Sequence, residues 1–138
     1  MKKLKRNRLK SIVSLICTVL SAWLILSSAC IGVSATTTSG SCGEGVSWSY
    51  DPNSKTLTIS GTGEIDDYSI GNNPPPWKVN SCKIVNVVIE DGITKIGSFA
   101  FYGCEDLVSV SIAESVTSLS ESIFRDCLKL ENINIPKK

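Results

Sequence analysis

The stretch KIGSFAFYGCEDL, Lys95–Leu107, is followed 23 residues later by a partial copy of itself, SLSESIFRDCLKL, Ser118–Leu130. The apolar positions recur while the polar positions between them change, so that Tyr102, for example, is replaced by Arg125. The aligned apolar pairs are Ile96 and Leu119, Ala100 and Ile123, Phe101 and Phe124, Cys104 and Cys127, and Leu107 and Leu130. A repeat that keeps only its apolar positions is typical of a fold that stacks copies of one unit.

Each repeat begins with a short strand. SVSI at 109–112 alternates polar and apolar residues, and its apolar positions are β-branched, which predicts a half-buried strand. Val87, Val110 and Ile133 align at the same offset. The later segment FAFYGCEDL is too short for a full helix and is predicted to form a turn of 3₁₀ or loose helix. Units of this length with one strand each predict a solenoid, in which equivalent apolar side chains form columns through one core.

Residues 84–136 resemble the BspA-like leucine-rich repeats of bacterial secreted and surface proteins. GITKIGSFAFYGCEDLVSVSI, at 92–112, follows the family pattern I-P-x-S-V-T-x-I-G-x-x-A-F-x-x-C-x-x-L-x-x-V-x-I closely. The second repeat departs from it, because Leu119 and Ser120 replace Ile-Gly and Ile123 replaces the alanine. The resemblance implies a β-rich α/β solenoid: a short right-handed leucine-rich-repeat stack, with parallel strands and short 3₁₀ or loose helical turns.

The segment before the repeats has a different pattern. VSWSY and TLTISG alternate in polarity on either side of DPNSK, which is rich in turn residues, and this predicts an antiparallel β-hairpin. We expect residues 36–83 to form an N-terminal hairpin cap and a Pro-rich connector, because the first repeat of a solenoid otherwise exposes its core. Residues 84–138 then comprise two repeats of 23 residues and the start of a third. The predicted packing residues of the cap are Trp48, Leu57, Ile59 and Trp77.

Residues 1–35 are predicted to be a secretory signal peptide. MKKLKRNRLK carries six positive charges and no acidic residue, a long apolar run follows, and VSA at 33–35 supplies small residues for cleavage after Ala35. Two alternatives remain: the apolar run stays as an uncleaved membrane anchor, or the chain is lipidated at Cys30. Each alternative places residues 36–138 outside the cytoplasm, secreted or on the extracellular side of a bacterial membrane.

Charge and residue content narrow the function classes. Six of the 14 basic residues lie in the first ten positions and all 13 acidic residues follow residue 35, so residues 36–138 have eight basic residues and a net charge of −5. Without a basic stripe, nucleic-acid binding is not expected. The chain has no histidine, which excludes histidine-based nucleophile systems and makes the usual zinc sites improbable. No metal or cofactor is predicted.

The four cysteines after residue 35 raise the question of disulfides, because an extracellular protein can form them. Cys42 and Cys82 are candidates for a disulfide between the hairpin and the first repeat. Cys104 and Cys127 share one repeat position, and stacking brings such positions to about 5 Å, so a disulfide is geometrically feasible. Buried thiols are the favoured interpretation of this second pair.

These features predict a non-catalytic recognition or adhesion module for an extracellular protein or glycan. The candidate binding face comprises outward repeat positions: Lys95, Ser109, Ser111, Ser118 and Asn134. Contact with a membrane is expected only through the N-terminal segment. One alternative is a structural cap or truncated fragment of a larger envelope repeat protein that associates with itself through the C-terminal strand NINI. A less favoured alternative is a carboxylate-based glycan hydrolase using Glu64 with Asp66 or Asp67, for which a solvated turn is the preferred interpretation.

Overall fold

The computed structural model describes residues 38–135, apart from the side chain of Cys82. The predicted signal peptide, its anchor alternative and the lipidation at Cys30 concern residues outside this range. Within residues 38–135, the structure contains no helix with the length and apolar character needed to cross a membrane.

The described residues form two sheets. The larger sheet has six strands in the order β1 (Ser39–Gly43), β2 (Val46–Asp51), β3 (Thr56–Gly61), β5 (Asn86–Ile89), β7 (Ser109–Ile112) and β9 (Asn132–Asn134). The smaller sheet has three strands in the order β4 (Gly63–Glu64), β6 (Ile93–Ile96) and β8 (Ser118–Leu119). A 3₁₀ helix, Lys78–Lys83, precedes β5. Side chains from both sheets contribute to one hydrophobic cluster.

The strands of the repeats pair in parallel at the offset that the sequence predicts. In the larger sheet Val87 lies opposite Val110, and Val110 lies opposite Ile133. In the smaller sheet β6 and β8 also pair in parallel, with Ile96 opposite Leu119. Each repeat therefore contributes one strand to each sheet, as expected for stacked coils of a solenoid. The right-handed sense of the winding stays a prediction.

The stacked coils begin before residue 84, the boundary at which the sequence analysis starts the repeats. β3 pairs in parallel with β5, which places Leu57 opposite Val87 and Ile59 opposite Ile89. Likewise, β4 pairs in parallel with β6. Here 30 residues separate Leu57 from Val87, because the connection includes the Pro-rich segment and the 3₁₀ helix. Because this connection is longer than those in the repeats, the 23-residue period of the sequence does not include the first coil.

β2 and β3 pair antiparallel across the DPNSK turn. The carboxylate of Asp51 accepts hydrogen bonds from the backbone N–H of Asn53 (2.9 Å) and the hydroxyl of Ser54 (2.8 Å), which closes the turn. These bonds hold the pKa of Asp51 below its usual value. β1 then pairs antiparallel with β2, and the sequence analysis did not identify this strand.

Aromatic rings form a column through the core. Trp77 stacks on Phe101 and Phe101 stacks on Phe124, each with ring centroids 5.7 Å apart. The indole N–H of Trp77 donates to the carbonyl of Ala100 at 2.9 Å, which fixes the ring between coils. The contact between Phe101 and Phe124 confirms the predicted column. The four predicted packing residues of the hairpin segment are also buried: Trp48, Leu57, Ile59 and Trp77.

The turn segment of each repeat is a series of turns rather than a helix. The backbone N–H of Tyr102 donates to Phe99, and that of Cys104 donates to Phe101, both at 3.2 Å and both spanning three residues. The same segment also bonds to the next coil, through Phe101 N–H and the carbonyl of Ile123 at 3.0 Å. The backbones of successive coils are therefore linked on the turn side as well as through the sheets.

The last described coil leaves apolar side chains exposed. Leu119 is 48% exposed although its partner Ile96 is fully buried, and Ile133 is 40% exposed although Val110 is buried. Leu119 and Ile133 lie on the outermost strands, and within residues 38–135 no strand lies beyond β8 and β9 to cover them. Leu119 is therefore not buried, and the prediction that it is a core residue is wrong. Its predicted alignment with Ile96 is confirmed.

Candidate functional site

The five candidate binding residues divide between the two sheets. Ser109 and Ser111 on β7 and Asn134 on β9 lie on the outer face of the six-stranded sheet, since they alternate with inward apolar residues. Lys95 on β6 lies opposite Ser118 on β8 in the smaller sheet. The structure therefore brings three of the candidates together on one surface and places the other two elsewhere.

Lys95 is engaged by two carboxylates. Its Nζ atom lies 3.1 Å from Asp67 Oδ2 and 3.7 Å from Glu64 Oε2. The hydrogen bond to Asp67 raises the pKa of Lys95, so the amine stays charged but is paired within the protein. A ligand would have to displace these carboxylates before it could use this cation.

Asp67 is held in its ionised form. Its carboxylate accepts a hydrogen bond from the backbone N–H of Ser98 at 2.7 Å, and this bond together with Lys95 lowers the pKa of Asp67. A general acid must carry a proton at the working pH. Asp67 is therefore unsuited to the acid role in the hydrolase alternative.

The other two carboxylates of that alternative, Glu64 and Asp66, line an open cleft of about 570 Å³. Glu44 from the turn after β1 also lines it, a residue that the sequence analysis did not single out. In the part of the chain that the structure describes, no group of three or more acidic or cysteine side chains is arranged to hold a metal ion. The cleft therefore collects negative charge without an identified catalytic partner.

The outer side of the six-stranded sheet forms a continuous surface that we name the polar face. It is defined by the side chains that alternate with buried residues along the six strands. Its 14 positions are Ser39, Ser41, Ser47, Ser49, Asp51, Thr56, Thr58, Ser60, Asn86, Val88, Ser109, Ser111, Asn132 and Asn134. All but two of these residues are Ser, Thr or Asn, the exceptions being Asp51 and Val88.

The strand register arranges the polar face in rows. One row crosses all six strands through Ser39, Ser49, Thr58, Val88, Ser111 and Asn134. Adjacent strands lie about 4.7–4.9 Å apart, so this row is about 24 Å long. In a neighbouring row Ser109 Oγ donates to Asn86 Oδ1 at 2.7 Å, which links two coils. The hairpin residues are not among the predicted binding positions, although Ser alternates with apolar residues in β2, and Thr and Ser do so in β3, as Ser does in β7.

Cys42 is a buried free thiol in the structure. The side chain of Cys82 lies outside the description, so the disulfide between these two residues stays a prediction. Cys104 is buried as a thiol, and Cys127 is a half-buried free thiol whose Sγ donates to the carbonyl of Phe101 at 3.1 Å. Both cysteines of the second pair are thiols in the structure, and their assignment as buried thiols in the protein stays a prediction.

Raising the pH above about 9 is expected to destabilise the protein through Cys42. Burial, reinforced by the nearby Asp66, raises the pKa of this thiol from 9.0 to about 12. Below pH 9 the thiol is protonated in both states; between pH 9 and 12 only the unfolded state loses the proton, so the free energy of unfolding falls. Tyr68 has a raised pKa for the same reason and adds to the loss above pH 10.

The measurement is the urea midpoint of wild type and Cys42→Ala from pH 7 to 11. The variant has its own packing cost, so the comparison concerns the slope against pH. We expect a shallower fall for Cys42→Ala above pH 9. Equal slopes would show that Cys42 does not carry the alkaline loss.

The family model described as the BspA-type leucine-rich repeat region, which spans six copies of the repeat, matches residues 79–138. These residues belong to the BspA-type leucine-rich repeat family. The matched residues include β5–β9, which are the parallel strands that follow the Pro-rich segment.

A solved leucine-rich repeat protein from Eubacterium ventriosum has a similar fold. It is 28% identical to this chain, with a TM-score of 0.59. The alignment covers 69% of this chain and 27% of that protein, so this chain spans about a quarter of its length. Since 69% of this chain exceeds the share matched by the BspA-type repeats alone, the likeness extends to part of the preceding segment. No curated protein matches the chain.

Proposed function

We propose that this chain is a secreted or cell-surface recognition module that binds an extracellular protein or glycan without catalysis, in an adhesive role. The observation that carries the proposal is the polar face. It crosses the repeats and the hairpin in one sheet, so that a ligand can contact Ser49 on β2 and Ser111 on β7 together. A sheet locked by backbone hydrogen bonds is rigid, and a rigid surface loses little conformational freedom on binding.

The remaining parts of the chain fit this role. The N-terminal sequence has the features of an export signal, and an exported solenoid needs its first coil covered. We assign the covering to β1 and β2, which extend the sheet antiparallel beyond β3. The ionised state of Asp67 and the pairing of Lys95 argue against acid catalysis in the neighbouring cleft.

The test is binding of the exported protein to arrays of extracellular proteins and glycans. Ser111→Arg places a long cation in the middle of the polar face, and we expect it to weaken binding at least tenfold. Ser118→Arg is the matched control, because it makes the same change on an exposed strand of the smaller sheet and is expected to leave binding unchanged. Loss of binding only in Ser118→Arg would move the site to the smaller sheet. A protein that binds nothing on either array would overturn the proposal.

The apolar end of the last coil supports a second candidate, a structural role through self-association. Leu128 is 78% exposed, and Leu119, Ile133 and Ile135 are each at least 40% exposed. Beside them, β8 and β9 are the outermost strands of their sheets within residues 38–135, and strand edges of this kind tend to pair with other chains. Sedimentation at rising concentration should then show a dimer that Ile133→Lys abolishes. A monomer at all concentrations would rule out this role.

A further inference from the structure

We infer that the polar face binds an uncharged, hydroxyl-rich polysaccharide that lies along its rows. The inference rests on the proposed function and specifies the partner. Three properties of the face support it: its lack of charge, its size and composition, and the state of its hydroxyl groups.

The polar face is almost free of charge. About 20% of the chain is charged, so about three of the 14 positions would be charged if residues were placed evenly. The face has no Lys or Arg, and its one carboxylate, Asp51, lies at the end of β2 and is engaged by Asn53 and Ser54. Charged partners are selected by opposite charges across an interface. An acidic or basic polymer finds no such partner here.

The composition of the face also disfavours a protein partner. The buried centres of protein interfaces are enriched in aromatic residues, Met and Arg and depleted of Ser. This face has no aromatic residue and one apolar side chain, Val88. At about 24 Å by about 17 Å its area is about 400 Å², about half of what each partner buries in a standard protein complex. Covering its hydroxyls with an apolar surface would leave them without hydrogen-bond partners, which is unfavourable.

The hydroxyl groups at the centre of the face are available. Ser49, Thr58 and Ser111 make no side-chain hydrogen bond to any other residue of the described part of the chain. Each offers one donor and two acceptor positions, the same groups that a sugar hydroxyl offers. These side chains are short, so they lose less rotamer freedom on binding than Lys or Arg. A linear neutral polysaccharide can therefore form repeated hydrogen bonds along the row.

The experiment compares binding of the exported protein to neutral polysaccharides (cellulose, mannan and a neutral β-glucan) with binding to acidic polysaccharides and extracellular proteins. We expect binding to at least one neutral polysaccharide, with an affinity that changes less than twofold between 50 and 500 mM NaCl. Thr58→Arg and Ser111→Arg, each checked for folding by circular dichroism, are expected to weaken it at least tenfold. Thr117→Arg is the matched control, because Thr117 is exposed and belongs neither to the polar face nor to the predicted binding positions, and it should bind as wild type.

The outcomes separate this inference from the proposed function. Binding to a protein that the two face variants abolish, with no binding to neutral polysaccharides, would overturn the inference and leave the proposed function standing. Binding to acidic polysaccharides that falls steeply with salt would overturn the inference in the same way. Binding to neutral polysaccharides that neither Thr58→Arg nor Ser111→Arg affects would overturn the inference, because the polar face would not be the site, and would leave the proposed function standing with its site on another surface.

Discussion

Replacing Phe101 with alanine is expected to lower the free energy of unfolding by about 3–5 kcal/mol. Phe101 is fully buried and lies between the rings of Trp77 and Phe124. Backbone hydrogen bonds hold the neighbouring coils at a fixed separation, so they cannot close the cavity that the truncation leaves. Since small domains are stable by roughly 5–15 kcal/mol, the variant should lose a large part of its stability.

Phe124→Ala is the matched control for this prediction. It removes the same atoms from the same repeat position, but Phe124 is only partly buried and stacks on Phe101 alone among the aromatic rings described. We expect its cost to be about half that of Phe101→Ala. Urea unfolding followed by tryptophan fluorescence measures both values. Equal losses in the two variants would contradict the assigned difference between a ring stacked on both faces and one stacked on a single face.

Replacing Gly97 with alanine is expected to destabilise the protein by about 3 kcal/mol, the upper end of the usual range for an overpacked core. A Cβ atom at this position would lie 2.0 Å from the carbonyl oxygen of Asp66 and 2.6 Å from that of Ile65. Both contacts are with the backbone of the preceding coil, so rotation of a side chain cannot relieve them. The first two coils would have to separate.

Two measurements test the Gly97 prediction. Urea unfolding gives the loss of stability, and hydrogen exchange should speed up at the Ile65 amide, which donates to Lys95 across the two coils. Ser120 occupies the same position in the next coil and already has a Cβ atom, so Ser120→Ala is expected to change stability by no more than about 0.5 kcal/mol. If Gly97→Ala is as mild as Ser120→Ala, the close approach of the coils at this point is not required.

The repeated apolar positions predict the strand register correctly. Val87, Val110 and Ile133 face one another in the sheet, and Phe101 stacks on Phe124. The reason is that side chains in one column contact each other, so each coil must supply a similar apolar group at the same position. Such a constraint leaves a period in the sequence that can be recognised without an alignment.

The same reasoning misses the first coil. Trp77 occupies the place in the aromatic column that Phe101 and Phe124 continue, but the connection around it is seven residues longer than in the repeats. A longer connection shifts the period without disturbing the stacking. The parallel pairing of β3 with β5 is consequently visible in the structure and not in the alignment of repeats.

The location of the candidate binding residues could be predicted from the sequence only in part. Alternation along a strand correctly places Ser109, Ser111 and Asn134 on an outer surface. It does not show that Lys95 and Ser118 lie on the smaller sheet, because outward positions of two different strands in a coil have the same pattern. The pairing of Lys95 with Asp67 likewise requires two coils to be adjacent, and the two residues are 28 positions apart.

The period and polarity of this chain were sufficient to establish a stacked solenoid and to separate inward from outward residues, because side-chain direction alternates along each strand and recurs in each coil. The sequence did not reveal the contacts between elements outside the 23-residue repeats. The pairing of β1 and of β3, the set of outward residues that share the polar face, and the column residues that stay exposed all depend on how connections of unequal length close. That closure is determined by packing between coils, and local sequence patterns carry no record of it.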